Sequence, residues 1–321
     1  MKKYLLLSLA ILAVCVGGHT AHALTVSPAK IEINADPGTV VSGEFLVVNE
    51  EGDLKTFYTS SENFQAQGET GAPNFTTDGG DLASWVTVAP QVMLNKGEQK
   101  KIPFTITVPA KAEAGGHFAA IFLSTAPPHG AVNQVSVGAK IGILILLHVS
   151  GPIKEGGGLL DFSTLNNKHL FTSLPVSFTY RFNNSGNDRV KPTGTLVIRD
   201  TLWLTSAELS GNPSEGNILP NSTRKFDLVW QGDQPAPDAP LGFFGSVKNE
   251  WQHFAFGFYT AHLALTYGSK PDTATASVSF FVLPWHLSIV VLLILLVLMF
   301  ILSRGVKRYN RWIIRKSRTS L

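Results

Sequence analysis

Fourteen uninterrupted apolar residues, Ile289 to Leu302, lie close to the C-terminal end of this 321-residue chain. With Pro284 to Ser288 included, the stretch free of formal charge reaches 19 residues. As a helix it spans about 28 Å at ~1.5 Å per residue, close to the hydrocarbon thickness of a bilayer. Pro284 falls in the first turn, where its missing N–H costs least. Beyond the stretch come Arg304, Lys307, Arg308, Arg311, Arg315, Lys316 and Arg318, with no acid among them. An excess of this kind marks a cytoplasmic flank, so the expectation is a single transmembrane helix over 283–303 with the C-terminal tail, 304–321, inside. The tail reads either as a plain stop-transfer segment or as a short amphipathic helix with its basic residues on anionic lipid, since Val306, Tyr309 and Ile313 fall on another face.

The opposite end carries the marks of export. Lys2 and Lys3 precede an apolar run from Tyr4 to Val16, and Ala21-His22-Ala23 is a small-x-small cleavage site. Residues 1–23 are therefore read as a signal peptide. The alternative, a lipoprotein box at Leu12-Ala13-Val14-Cys15, suffers from the bulky Val14 before the cysteine. Cys15 is the only cysteine, so the mature chain would have no thiol and no disulfide to brace it; packing between sheets must do so instead.

Charge narrows the class of partner. Two of the 26 Lys and Arg lie in the signal and seven in the tail, leaving 17 against 23 Asp and Glu, a net charge of −6 for the part between. Phosphate backbones need a basic surface, so nucleic acid is excluded as a partner. Between Leu24 and Phe281, short runs rich in Val, Ile, Thr and Phe alternate with clusters of Gly, Pro, Asn and Asp. Helical periodicity is hardly visible. Ile141 to Val149 is apolar on both faces but too short to span a membrane as a helix, and reads as a central strand. Breaks at Ser150-Gly151-Pro152 and Gly156-Gly157-Gly158 divide the part outside the membrane. The predicted fold is all-β, with two tandem immunoglobulin-like β-sandwiches, 24–152 and 153–282, followed by one transmembrane helix.

Chemistry is sparse. Seven histidines remain after removal of residues 1–23, none at metal-ligand spacing. Asp78-Gly79-Gly80-Asp81 lacks the alternating oxygen ligands of an EF-hand and reads as a polar turn. No G-x-S-x-G elbow occurs, and Gly156-Gly157-Gly158 has no following helix to cradle a phosphate. The sequence thus leads to no catalytic residue, no cofactor and no metal, and to a protein that is not an enzyme. Four aromatics stand out instead as candidates for binding a partner: Trp203, Phe243, Phe244 and Trp251. In an extended segment only one of the neighbours Phe243 and Phe244 can face the core, so one is expected outside.

Several motifs then recur in one order. Ser27-Pro28-Ala29-Lys30, Asp36-Pro37-Gly38 and Val47-Val48-Asn49 are followed by Trp85, Lys96-Gly97-Glu98, Val108-Pro109 and Ala114-Gly115-Gly116-His117-Phe118. Asn184-Ser185-Gly186-Asn187, Pro192-Thr193-Gly194, Leu219-Pro220, Trp230 and Gly257-Phe258-Tyr259 continue the series. In this the chain resembles the WxL-interacting proteins of Gram-positive surfaces, over most of its mature length and including the anchor and basic tail. The resemblance implies a peptidoglycan-binding first domain and a second sandwich that docks another surface protein; no ligand motif is matched, so no binding residue is carried over. The first domain is also similar to the sandwich of pilus chaperones, which bind through strand edges.

The resulting expectation is a cell-membrane protein with its sandwiches outside, a scaffold contacting cell-wall polymer or another surface protein. An envelope carbohydrate-active or peptidase enzyme on a β-sandwich, and a receptor signalling through the basic tail, are the alternatives from other classes.

Overall fold

The structure is a computed structural model and describes residues 24–50, 53–76, 80–127, 140–231, 242–269 and 271–318, with side chains as far as Arg311. The proposed signal peptide, Asp78-Gly79 of the acidic turn and residues 319–321 of the tail lie outside the described residues. The chain divides into two compact units, Met1–Gln65 with Pro73–Lys154 and Ala66–Ala72 with Glu155–Leu321.

The first unit is built from β1 (Leu24–Ser27), β2 (Lys30–Ala35), β3 (Val40–Asn49), β4 (Lys55–Gln67) and β5 (Ala72–Thr76), then a single helical turn α1 (Leu82–Trp85). It continues with β6 (Val86–Val88), β7 (Gln91–Leu94), β8 (Gln99–Thr107), β9 (Gly115–Ser124) and β10 (Lys140–Val149). One sheet has the order β1-β3-β8-β6 and the other β2-β10-β9-β4-β5, with β7 also on β4. Inward residues alternate along each strand, so Phe45, Val47, Ile102, Phe104 and Ile106 of one sheet meet Phe57, Ile121, Leu123, Ile143, Ile145 and Leu147 of the other. The Ile141 to Val149 run is the central strand that its double-sided apolar pattern suggested, lying between β2 and β9.

His117, in the Gly-Gly-His-Phe motif on β9, is a structural clasp. Its Nδ1 lies 2.6 Å from Asp81 Oδ1 and its Nε2 2.9 Å from the Glu113 carbonyl oxygen, while its ring packs on Trp85. Burial opposes the charged imidazole, but two acceptors facing its two nitrogens outweigh that and raise its pKa. A pKa raised in the folded state contributes stability that is complete below the unfolded value, about 6.5, and disappears as pH climbs through the folded one. The deficit of a His117→Gln variant in thermal unfolding of this unit should therefore be larger at about pH 5.5 than at about pH 8.5. Equal deficits at both would contradict the assignment.

The second unit runs through β11 (Gly157–Thr164), a 3-10 turn over Leu165–Asn167, β12 (Leu170–Phe171), β13 (Val176–Asn184), β14 (Thr193–Asp200), β15 (Thr205–Ser210) and β16 (Ser222–Trp230). Helix α2 (Phe243–Gln252), β17 (Gly257–Tyr267), β18 (Asp272–Val282) and the long helix α3 (Trp285–Arg318) follow. Its sheets have the orders β11-β13-β16 and β12-β18-β17-β14-β15. Along β13, Val176, Phe178, Tyr180, Phe182 and Asn184 all point inward. Tyr180 stacks on Phe226 at 4.8 Å and Phe178 meets Phe280 edge-on at 5.5 Å, so aromatic rings fill much of this core.

Both units follow one plan. An opening strand pairs antiparallel in the smaller sheet (β1 with β3, β11 with β13), and the chain then crosses to lie parallel to the last strand of the other sheet (β2 with β10, β12 with β18). A buried asparagine closes the same strand in each. Asn49 Nδ2 donates to the carbonyls of Asp53, Leu94 and Asn95; Asn184 Nδ2 donates to those of Asp188 and Ile218 while its Oδ1 accepts from Gly186 N–H. These motif asparagines tie loops to the core, as buried amides must.

Candidate functional site

Strand register gathers the unusual residues of the second unit at one end. Asp200, the last residue of β14, lies opposite Tyr259 near the start of β17, and Gly257 lies opposite Val282 at the end of β18. Leu170 and Phe171 of β12 pair with Phe281 and Val282. The β14–β15 turn, the approach to β17 and the root of α3 therefore share an end of the sandwich.

Trp203 sits in that β14–β15 turn at 68% exposure, between Leu202 at 76% and Leu204 at 61%, its ring laid over His262. Asp200 Oδ1 accepts from the N–H groups of Leu202 and Leu204, which holds the apolar tip in shape. The turn is fastened to the neighbouring strand by Thr201, whose hydroxyl donates to the Phe258 carbonyl.

Phe243, Phe244 and Trp251 lie on helix α2, which corrects the reading of this segment as extended. Phe244 and Trp251 are exposed, at 81% and 71%, whereas Phe243 turns toward α3, its ring against those of Trp285 and His286. Strand β17 begins only at Gly257, after the exposed stretch that follows α2, and Trp85 closes the turn α1. Phe254, Phe256 and Phe258, none of them among the four candidate partner-binding aromatics, are also exposed.

The contact between α2 and α3 is polar at its centre. Glu250 is 2% exposed, its Oε1 2.6 Å from His286 Nδ1 and its Oε2 accepting from Leu287 N–H at 2.7 Å. The first N–H groups of a helix have no partner within it, so Glu250 caps α3 from outside, where the helix dipole favours a negative charge.

From Trp285 to Arg311, α3 is long and apolar enough to cross a membrane by length and composition, and from Val291 its side chains are uncovered by protein. The helix continues through the basic residues: Arg304, Lys307, Arg308 and Arg311 are exposed, and Arg315, Lys316 and Arg318 lie on its last turns, where side chains are not described.

Among the described residues, one side of this sandwich is open. Between β15 and β16, each the outer strand of its sheet, runs a cleft of about 670 Å³. Ser206 and Glu208 line one wall, Val229 and Trp230 the other, and Trp251 and Phe254 its end. Among the described residues, the only backbone partner on the outer edge of β16 is Glu69, whose carbonyl accepts from Lys225 N–H. Among the described residues there is no group of three or more His, Cys, Asp or Glu placed to hold a metal.

No family model matches the sequence, and no curated protein matches it. Among solved structures, the chain is similar to the class 5 fimbriae chaperone CfaA, at 13% identity and a TM-score of 0.37, over 80% of this chain and 99% of that one. It is similar also to the CsuC–CsuE chaperone and tip adhesion subunit complex of Acinetobacter baumannii (14%, 0.34, 64% and 89%). A third is the SafA pilin and SafB chaperone complex of Salmonella enterica (8%, 0.36, 81% and 99%). The likeness is one of architecture; no partner or residue role is transferred from it.

Proposed function

We propose that the chain is a membrane-anchored scaffold of the cell envelope that holds another surface protein against the open side of its second sandwich. The observation that carries this reading is the cleft between β15 and β16, where two outer strands and an aromatic end lie on the unit from which the apolar helix departs. An extended segment of a partner could add to either strand through its main chain and place alternate side chains in the cleft. Recognition of that kind asks for no nucleophile, acid pair or cofactor. The first sandwich is read, on the resemblance of its motifs to the WxL-interacting proteins, as the part that contacts peptidoglycan.

Photo-crosslinking in living cells tests the protein-binding part. A photoreactive amino acid at Glu208 or Val229 should give the same protein adduct, and one at Ser277, on β18 of the same unit, should not. Equal labelling at all three positions, or none at the cleft, overturns the docking site. For the wall-binding part, full-length protein in lipid nanodiscs should co-sediment with purified peptidoglycan; protein left wholly in the supernatant removes it.

A further inference from the structure

We infer that the end of the second sandwich from which α3 departs is itself a lipid-binding face, seated in the boundary between headgroups and acyl chains of the leaflet that α3 enters. The inference rests on the proposed anchoring and adds a second attachment to it.

The two ends of this sandwich differ in chemistry. At the end away from α3 lie the turns at 184–192, 211–221 and 268–271, and none of their described residues is an exposed large hydrophobic. At the α3 end such residues come from five separate stretches. They are Leu165 and Leu170, the tip Leu202-Trp203-Leu204, Phe244 and Trp251 of α2, Phe254 with Phe256 and Phe258, and Trp285 itself. The exposed large hydrophobics of the first unit, Val40, Leu54, Phe75 and Met93, contain no tryptophan. Isolated exposed hydrophobics need no explanation, but convergence of this many aromatics on one end marks a binding surface.

Lipid is the occupant favoured by continuity. The apolar surface of α3 begins where this face lies: the Phe243 ring is 6.5 Å from that of Trp285 and 5.4 Å from that of His286, and Glu250 bonds Leu287 N–H. These contacts fix α2 at the level of the first turn of the apolar helix. Phe244, Lys248 and Trp251 recur four and three residues apart, so they share the outward face of α2. Two rings with a lysine between them suit the interface, where aromatics sit at headgroup depth and an ammonium meets phosphate. Trp251 and Phe254 also end the β15–β16 cleft, so a partner held there would lie along the membrane surface, while Phe244 and the Leu202–Leu204 tip, which do not line the cleft, are left to lipid.

Nitroxide depth measurements on the full chain reconstituted in phosphatidylglycerol–phosphatidylethanolamine vesicles test the inference. Single cysteines at Leu202, Phe244 and Trp251 carry the label, with Ser214 as the control at the far end and Leu295 as the control within α3, all in a Cys15→Ser background. The expected result is an oxygen-to-nickel accessibility ratio several-fold higher at Leu202, Phe244 and Trp251 than at Ser214, and highest at Leu295. Ratios at the three test sites equal to that of Ser214, with Leu295 embedded, overturn the lipid face and leave the anchor standing; a protein partner then becomes the occupant. An aqueous ratio at Leu295 overturns the anchoring, and the lipid face with it.

Discussion

Replacing Glu250 with alanine is expected to release α2 from the root of α3 at a cost of about 3 kcal/mol, the order expected when a buried backbone donor and a ring nitrogen lose their shared carboxyl partner together. The Leu287 N–H belongs to the first turn of a helix and has no intrahelical acceptor, while His286 loses the group that fixes its ring. The vacated space is buried, so water gains little access to replace the lost bonds. Hydrogen exchange of the full chain in nanodiscs measures the effect: amides of Ser246 to Gln252 should exchange roughly 100-fold faster, since 1.4 kcal/mol is a factor of ten. Glu250→Gln keeps an acceptor for Leu287 N–H and should lie between the two. Unchanged exchange in the alanine variant would mean that α2 is held by Phe243 and its other apolar contacts alone.

A comparable loss is expected from Gly194→Ala on β14. A Cβ at this position would lie 2.0 Å from the Ala264 carbonyl oxygen, and φ there is +150°, a backbone that side chains rarely adopt. The obstacle is the backbone of the adjacent strand and cannot rotate away, so β14 must part from β17 and take β15 with it. About 4 kcal/mol or more is the expected cost. Gly242→Ala is the matched control, because its Cβ would meet nothing within 4 Å, and it should change stability by no more than about 0.5 kcal/mol. Exchange across β14, β15 and β17 should rise in the first variant and stay constant in the second.

Gly194 belongs to the Pro-Thr-Gly motif, and its role there is a close approach of backbone to backbone. The same holds for Gly157, whose Cβ would sit 2.1 Å from the Asn183 carbonyl oxygen; Gly157 and Gly158 are the first paired residues of β11. Motif residues of this kind speak for fold more than for ligand, which is why they could suggest sandwiches without naming a binding residue. The long central strands were legible because both faces, or one face at a period of two, are committed to the core, as along β13. Strands β1, β2, β5, β7, β12 and β15 carry a weaker signal, being short or lying at the margins of their sheets, where half the pattern is missing.

Helix α2 escaped for a different reason. Its inward face carries Phe243, Val247 and Glu250, and its outward face Phe244 and Trp251, so apolar residues fall on both sides and a carboxylate occupies a buried position. No single apolar stripe exists for periodicity to find. On the approach to β17 and in its first residues, the phenylalanines at 254, 256 and 258 share one parity, and Tyr259, Ala261, Leu263 and Leu265 of the strand the other, and it is the second set that faces the core. That conflict of parity, visible in the residues, was the available sign that one aromatic row faces outward.

The central claim, a sandwich protein held at the envelope by one helix, is tested most directly by labelling intact cells with a membrane-impermeant maleimide, using variants Ser214→Cys and Ser317→Cys in a Cys15→Ser background. Labelling of Ser214→Cys in intact cells, labelling of Ser317→Cys only after permeabilisation, and retention of both in the membrane after an alkaline carbonate wash are the predicted results. Release by carbonate, or the reverse labelling pattern, would contradict the account.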